Sequence, residues 1–174
     1  GKVKEPLLRL PQRWRAYDAK AANGQYRIGP IAFVFGQGPL QAPSVFNFFS
    51  PFYAPPGEIA GQGLVAPELQ VATEYLNTAT TNTFFNVIFG WNSTVAGLPE
   101  NAIVMDFTQE VALAGDPEAL VTRIAGKLLG GPISATLKAE ARAAVERVPA
   151  TSAGQRVSEA MYLIATSPEY VVSR

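Results

Sequence analysis

The chain has 174 residues, 48% hydrophobic and only 16% charged, against ~25% charge in ordinary soluble domains, so it either builds a large core or keeps surface that another segment covers. It contains no cysteine and no histidine, which removes disulfides, thiolate metal sites, thiol nucleophiles, Ser-His-Asp and Cys-His arrangements and the usual zinc ligand sets from this segment. Its zero formal charge divides into blocks of +5 (residues 1–27), −8 (28–122, with no Lys or Arg) and +3 (123–174), so either the acidic middle serves a cation or a basic partner, or the basic ends fold back beside it.

A single domain spanning 1–174 would bury roughly 70% of the surface its unfolded form exposes. The first segment, KVKEPLLRLPQRWRAYDAKAANG, reads as a helix with Pro6 near its start. Leu7, Leu10, Trp14 and Tyr17 form one apolar stripe, Arg9 and Arg13 lie off it, and Pro11 is expected to kink or interrupt the helix. From residue 24 to 65 no helical period is visible. YRIGPIAFVFG has the composition of a short strand, which Pro30 restricts to an edge, and a proline-punctuated irregular loop follows. Such a long irregular stretch points to a functional loop or one packed on something.

Ala66-Pro67-Glu68 starts a helix expected to reach about Gly90, buried on most sides because it has no charge after Glu74, with Asn77, Asn82 and Asn86 in need of partners. Asp106 with Gln109 and Ser152 with Gln155 read as capping boxes, Asp116-Pro117-Glu118 and Ser134 as further helix starts, and Gly115, Gly130 and Pro149 as stops. Ser167-Pro168-Glu169 begins a final turn. The fold class is all-α, a helical bundle-like domain with a long ordered Pro/Gly/Phe-rich loop and at most a short edge strand or hairpin.

Few motifs carry chemistry. Gly61 to Ala66 matches G-x-G-x-x-A before a helix, but Pro55-Pro56-Gly57 stands where the strand should be and residues 75–99 hold no acidic residue, so the dinucleotide fingerprint is incomplete. No calcium loop is present, and neither a metal nor a cofactor is expected. Glu58 and Glu68 flank a glycine-rich loop beside aromatics, the residue types that glycoside hydrolysis uses, although each also reads as a helix-start or surface acid. Phe46, Phe48, Phe49, Phe52 and Tyr53 are either a sugar or partner platform or a plug in the core or an interface. A pI near 6.5 and the acidic middle argue against nucleic acid. Asn92-Ser93-Thr94 is a glycosylation sequon, used only in a eukaryotic secretory pathway. The charge-free run from Gly29 to Gly57 has spanning length, but its six prolines exclude a transmembrane helix. No signal peptide is visible. Without an initiator Met, the chain is expected to be part of a longer protein.

The blocks KVKEPLLRLPQRWRAYDA, GQGPLQAPSVFNFFSPFYAPPGEIAGQGLVAPELQ, LAGDPEALVTRIAGKLLGGPIS and ATSPEYVVSR, in this order, resemble the C-terminal part of the bacterial family catalogued as domain of unknown function 1800. PSVFNFFSP is the most specific of them. The resemblance implies a C-terminal portion of a longer, exported protein, periplasmic or extracellular, whose absent N-terminal part is one partner. It assigns no activity, and no catalytic residue transfers with it. The resulting expectation is a non-catalytic binding or scaffolding module facing a polysaccharide or a protein through its aromatic loop. The alternative is part of a carboxylate-dependent hydrolase acting on a polymer through Glu58 or Glu68.

Overall fold

The computed structural model describes residues 2–26, 31–90 and 103–173. Among them nine α-helices and two very short antiparallel strand pairs occur. The order is β1 (Lys2–Val3), α1 (Pro6–Ala16), β2 (Lys20–Ala21), α2 (Ile31–Phe35), α3 (Glu58–Gly61), a 3-10 turn (Pro67–Val71) and α4 (Glu74–Phe89). Then follow β3 (Ile103–Val104), α5 (Thr108–Ala112), α6 (Pro117–Leu129), α7 (Ala135–Arg147), α8 (Ala153–Thr166), α9 (Pro168–Val171) and β4 (Val172–Ser173). β1 pairs with β4 (Lys2 opposite Ser173) and β2 with β3 (Lys20 opposite Val104). The architecture is all-α, with a long irregular segment between α2 and α3.

Local chemistry sets most helix ends. Thr73, Asp116, Ser134 and Ser167 each accept a hydrogen bond from a backbone N–H of the first turn, at Leu76, Ala119, Leu137 and Tyr170. Gly130 closes α6 with φ 65°, a left-handed conformation that costs glycine little. Ser152 stands at the start of α8 but makes no side-chain cap, so its capping box with Gln155 does not form. At the other expected box, Asp106 Oδ1 instead accepts from the Thr108 N–H, and α5 begins one residue later than a cap at Asp106 would place it.

α8 is the hub, packed against α4, α5, α6, α7 and α9. Val157, Ala160, Met161, Ile164 and Ala165 recur at helical spacing and are buried, with the alanines allowing close approach of neighbouring helices. They meet Leu120, Val121, Ile124 and Leu128 of α6, Ala141 and Val145 of α7 and Phe84 and Ile88 of α4 in one core cluster.

Several other sequence expectations change. α1 runs through Pro11 without interruption. Arg9 and Arg13, off the apolar stripe, are nonetheless buried, because α1 is packed on more than that stripe. Ile31–Phe35 is a helical turn rather than a strand, since Phe35 is driven into the core and the turn lies along α4; the adjoining residues 27–30 lie outside the described ones. The helix expected over 66–90 is a 3-10 turn and an α-helix broken at Ala72-Thr73. α4 is also less buried than expected. Thr80, Phe84 and Ile88 face inward, while Asn77, Asn82 and Asn86 are exposed. Asn77 Nδ2 donates to Ala72 O, Thr81 and Thr83 donate to the carbonyls four residues back, and Thr80 donates to Val34 O.

The opposed charge blocks meet. Lys2 pairs with Glu68, Arg123 and Lys127 pair with Glu110, and Lys138 pairs with Glu118, each joining a basic end to the acidic middle. Among the described residues no helix is long and apolar enough to cross a membrane, and no group of three or more acidic residues is placed to hold a metal. Trp91 and the Asn92-Ser93-Thr94 sequon lie outside the described residues.

Candidate functional site

The aromatic segment is irregular but pinned. Glu5, at the N-terminus of α1, accepts from Gln37 Nε2 (2.6 Å) and Asn47 Nδ2 (3.1 Å) through one carboxylate oxygen, and Gln37 Oε1 in turn accepts from the Leu7 N–H. At the far side Gln70 Oε1 accepts from the Ser50 N–H (2.7 Å), and Tyr53 O accepts from the Ala66 N–H (2.8 Å). Ser44 and Ser50 hydroxyls each accept from a backbone N–H two residues on, closing small turns ahead of Phe46 and Phe52. Asn47 takes φ 73°, a conformation that Asn tolerates better than most residues. At the root of the segment Gly36 (φ 65°) lies against Leu76, whose Cδ1 would stand 2.6 Å from an added Cβ.

This scaffold holds the phenyl rings outward. Phe46 and Phe52 are exposed, at 59% and 82%, while Phe48, Phe49 and Tyr53 are half-buried. Phe46, Phe48, Phe49 and Phe52 line one open hollow of 360 Å³ with Asn47 and Gln70. Leu40 and Val45, in the same segment, are almost wholly exposed.

The two carboxylates singled out in the sequence have different surroundings, and neither lines this hollow. Glu58 is exposed in the first turn of α3 and accepts from Gln62 Nε2. Glu68 is buried in the 3-10 turn with Lys2 Nζ 2.8 Å away. Burial alone would raise its pKa, but the Lys2 hydrogen bond, its own backbone N–H and the Lys2 charge outweigh that and hold it below the ordinary carboxylate range.

A second charged cluster escaped the sequence reading. Glu110 of α5 is fully buried, and its Oε1 accepts from Arg123 Nε (2.7 Å) and Lys127 Nζ (3.0 Å). The buried Tyr17 packs on Phe107, and Lys127 Nζ lies over its ring at 4.4 Å. Burial, then the Glu110 charge, push the Tyr17 phenol up, so it stays protonated. Tyr17 and Glu110 line a small cleft of 140 Å³ rimmed by Arg15, Asp18 and Asp106. The signal in the sequence was Arg123 and Lys127, four residues apart along one edge of the Leu120, Ile124 and Leu128 stripe of α6. Nothing in the sequence, however, placed Glu110 opposite them.

The geometry thus offers an apolar hollow on a braced loop and a small ionic cleft. The family model described as Protein of unknown function (DUF1800) matches residues 1–172. No curated protein and no solved structure matches the chain at a significant level. With a match over essentially its whole length, the chain belongs to the DUF1800 family.

Proposed function

We propose that this chain is a non-catalytic binding module, in an exported bacterial protein as the family resemblance implies, and that its Gly36–Ala66 segment docks on an apolar surface of another protein. The observation that carries this reading is the exposure of Phe46 and Phe52 on a loop braced from both ends. Singly exposed apolar residues are ordinary, whereas neighbouring phenyl rings held over one hollow mark an interaction surface. The polar side chains lining the hollow support a protein partner over a sugar. Ser44, Asn47, Ser50 and Gln70 each already hold a hydrogen bond of the loop or its supports. A carbohydrate needs such groups beside the ring faces; an apolar peptide does not.

Selection from a displayed random-peptide library on the immobilised chain is expected to enrich apolar and aromatic sequences. A Phe46→Ser/Phe52→Ser double variant, which removes only exposed rings, is expected to keep its melting temperature and lose that binding. Binding undiminished in the variant would place the docking surface elsewhere. A saturable Trp fluorescence change with a soluble polysaccharide, absent in the variant, would replace the protein partner by a sugar.

A further inference from the structure

Four of the five lysines, Lys2, Lys20, Lys127 and Lys138, pair with a carboxylate. The fifth, Lys4, has no carboxylate partner among the described residues. Its backbone is clamped, with the N–H donating to Val171 O (2.7 Å) and the carbonyl accepting from Arg9 Nε (3.1 Å). Its half-buried side chain carries the Nζ over the Tyr170 ring, 4.2 Å from the centroid, and Tyr170 is itself fixed by donating its hydroxyl proton to Arg9 O. Arg9, a second cation, lies close enough to act on its charge.

Lys4 also lines a cavity of 260 Å³ between the start of the chain, the end of α6 and β4. Gly130 and Gly131 form a wall without side chains, Gln12 is tied to Leu128 O, and Glu169 is the other ionisable group of the lining. A lone anion is a poor occupant. It would face Glu169 and the carbonyl end of α6, the negative pole of that helix. A small neutral molecule meets no such penalty.

We propose that Lys4 is the amine of a covalent site for small, uncharged aldehydes or ketones, which enter this cavity and condense with Nζ to an imine. The neutral Nζ lone pair forms a bond to the carbonyl carbon, giving a carbinolamine. The C–O bond then breaks, and the oxygen leaves as water with both amine hydrogens. No oxidant or reductant is needed; the amine protons reach the departing oxygen through solvent water, because both Glu169 oxygens already accept from Ser134. Lysine becomes a nucleophile when desolvated or set beside another cation; Lys4 is half-buried with Arg9 close by, and these act against the Tyr170 ring, which favours the ammonium. Burial first, and then the Arg9 charge, lower the Lys4 pKa from 10.5, whereas the Glu68 hydrogen bond raises that of Lys2.

The test is reductive trapping of the whole chain with propanal and cyanoborohydride near neutral pH, with adducts assigned to individual lysines by mass spectrometry. Lys4 is expected to react several-fold faster than Lys20 or Lys138, and a Lys4→Arg variant to lose the fast adduct while the other lysines keep their rates. Gly131→Leu separates the cavity from the amine, since a Cβ at Gly131 meets open space. It is expected to slow Lys4 selectively. Lys4 labelling no faster than Lys20 would overturn the reactive amine, and fast labelling undiminished by Gly131→Leu would overturn the cavity as its binding site.

Discussion

Arg9, Arg13 and Arg156 are buried, and carbonyl oxygens rather than carboxylates answer them. Arg156 donates to Val148 O (2.9 Å) and Ala114 O (2.8 Å), at the ends of α7 and of the turn after α5, where helix carbonyls lack partners. Arg13 donates to Val87 O and to the Met161 sulfur, and burial pushes its pKa down to about 10, which leaves it charged at neutral pH. Carboxylates answer other cations, and Glu68 is the case with a clear pH signature. Its folded-state pKa lies below the ordinary 4.5, so its contribution to stability is complete above that value and is lost as pH falls through the lower, folded one. Its partner Lys2 is raised above 10.5, first by the same hydrogen bond, so that contribution is complete below 10.5 and is lost as pH rises through the raised value. The stability difference between the natural chain and Glu68→Gln, followed by urea unfolding, is therefore expected to be level across the neutral range and to shrink toward both extremes. A difference that kept its size below the folded pKa would rule out the pair as its source.

At the scale of elements, what was legible in the sequence depended on how local the signal is. Helices α6, α7 and α9 stand close to where their start signals put them, because Asp116, Ser134 and Ser167 form their caps within the helix's own first turn. Signals that depend on a distant partner were misread. Phe35 sits in a short β-like run, but packing along α4 makes that run helical, and tertiary burial overrides propensity there. The aromatic block was recognisable as structured, yet which rings face out was not, because that follows from Glu5, 42 residues away from Asn47. Glu110 was missed for the same reason: its partners lie on the next helix. The Glu5 clasp gives a direct test of how the loop is held. Two side-chain amides share one of its oxygens, and hydrogen bonds to a charged group are worth about 1.5–3 kcal/mol each. Glu5→Ala is expected to speed amide exchange through residues 37–53 by more than tenfold, the effect of about 1.4 kcal/mol or more in local opening, while α6 to α8 keep their protection. Unchanged exchange in that segment would mean the loop is held by its apolar contacts alone.

On the scale of the molecule, α8 couples everything else. α4, α5, α6, α7 and α9 each touch it, whereas the loop from Gly36 to Ala66 leaves Phe46 and Phe52 exposed and is braced mainly through α1 and the 3-10 turn. That division predicts two levels of stability: a cooperative helical unit, and a loop that opens below the global threshold. Ile164 is fully buried on α8 and belongs to the shared core. Truncating it to alanine leaves a cavity that neighbouring helices cannot close without losing contacts of their own, at a cost of about 2–5 kcal/mol. Ile164→Ala is expected to lower the unfolding midpoint equally whether it is followed by helical circular dichroism or by amide exchange in α4, α6 and α7. Exchange in the loop, set by local opening, is expected to stay as it was. If α4 and α7 instead melted at different midpoints in the variant, α8 would not be the element that joins them, and the aromatic loop would be presented by a looser assembly than the one described.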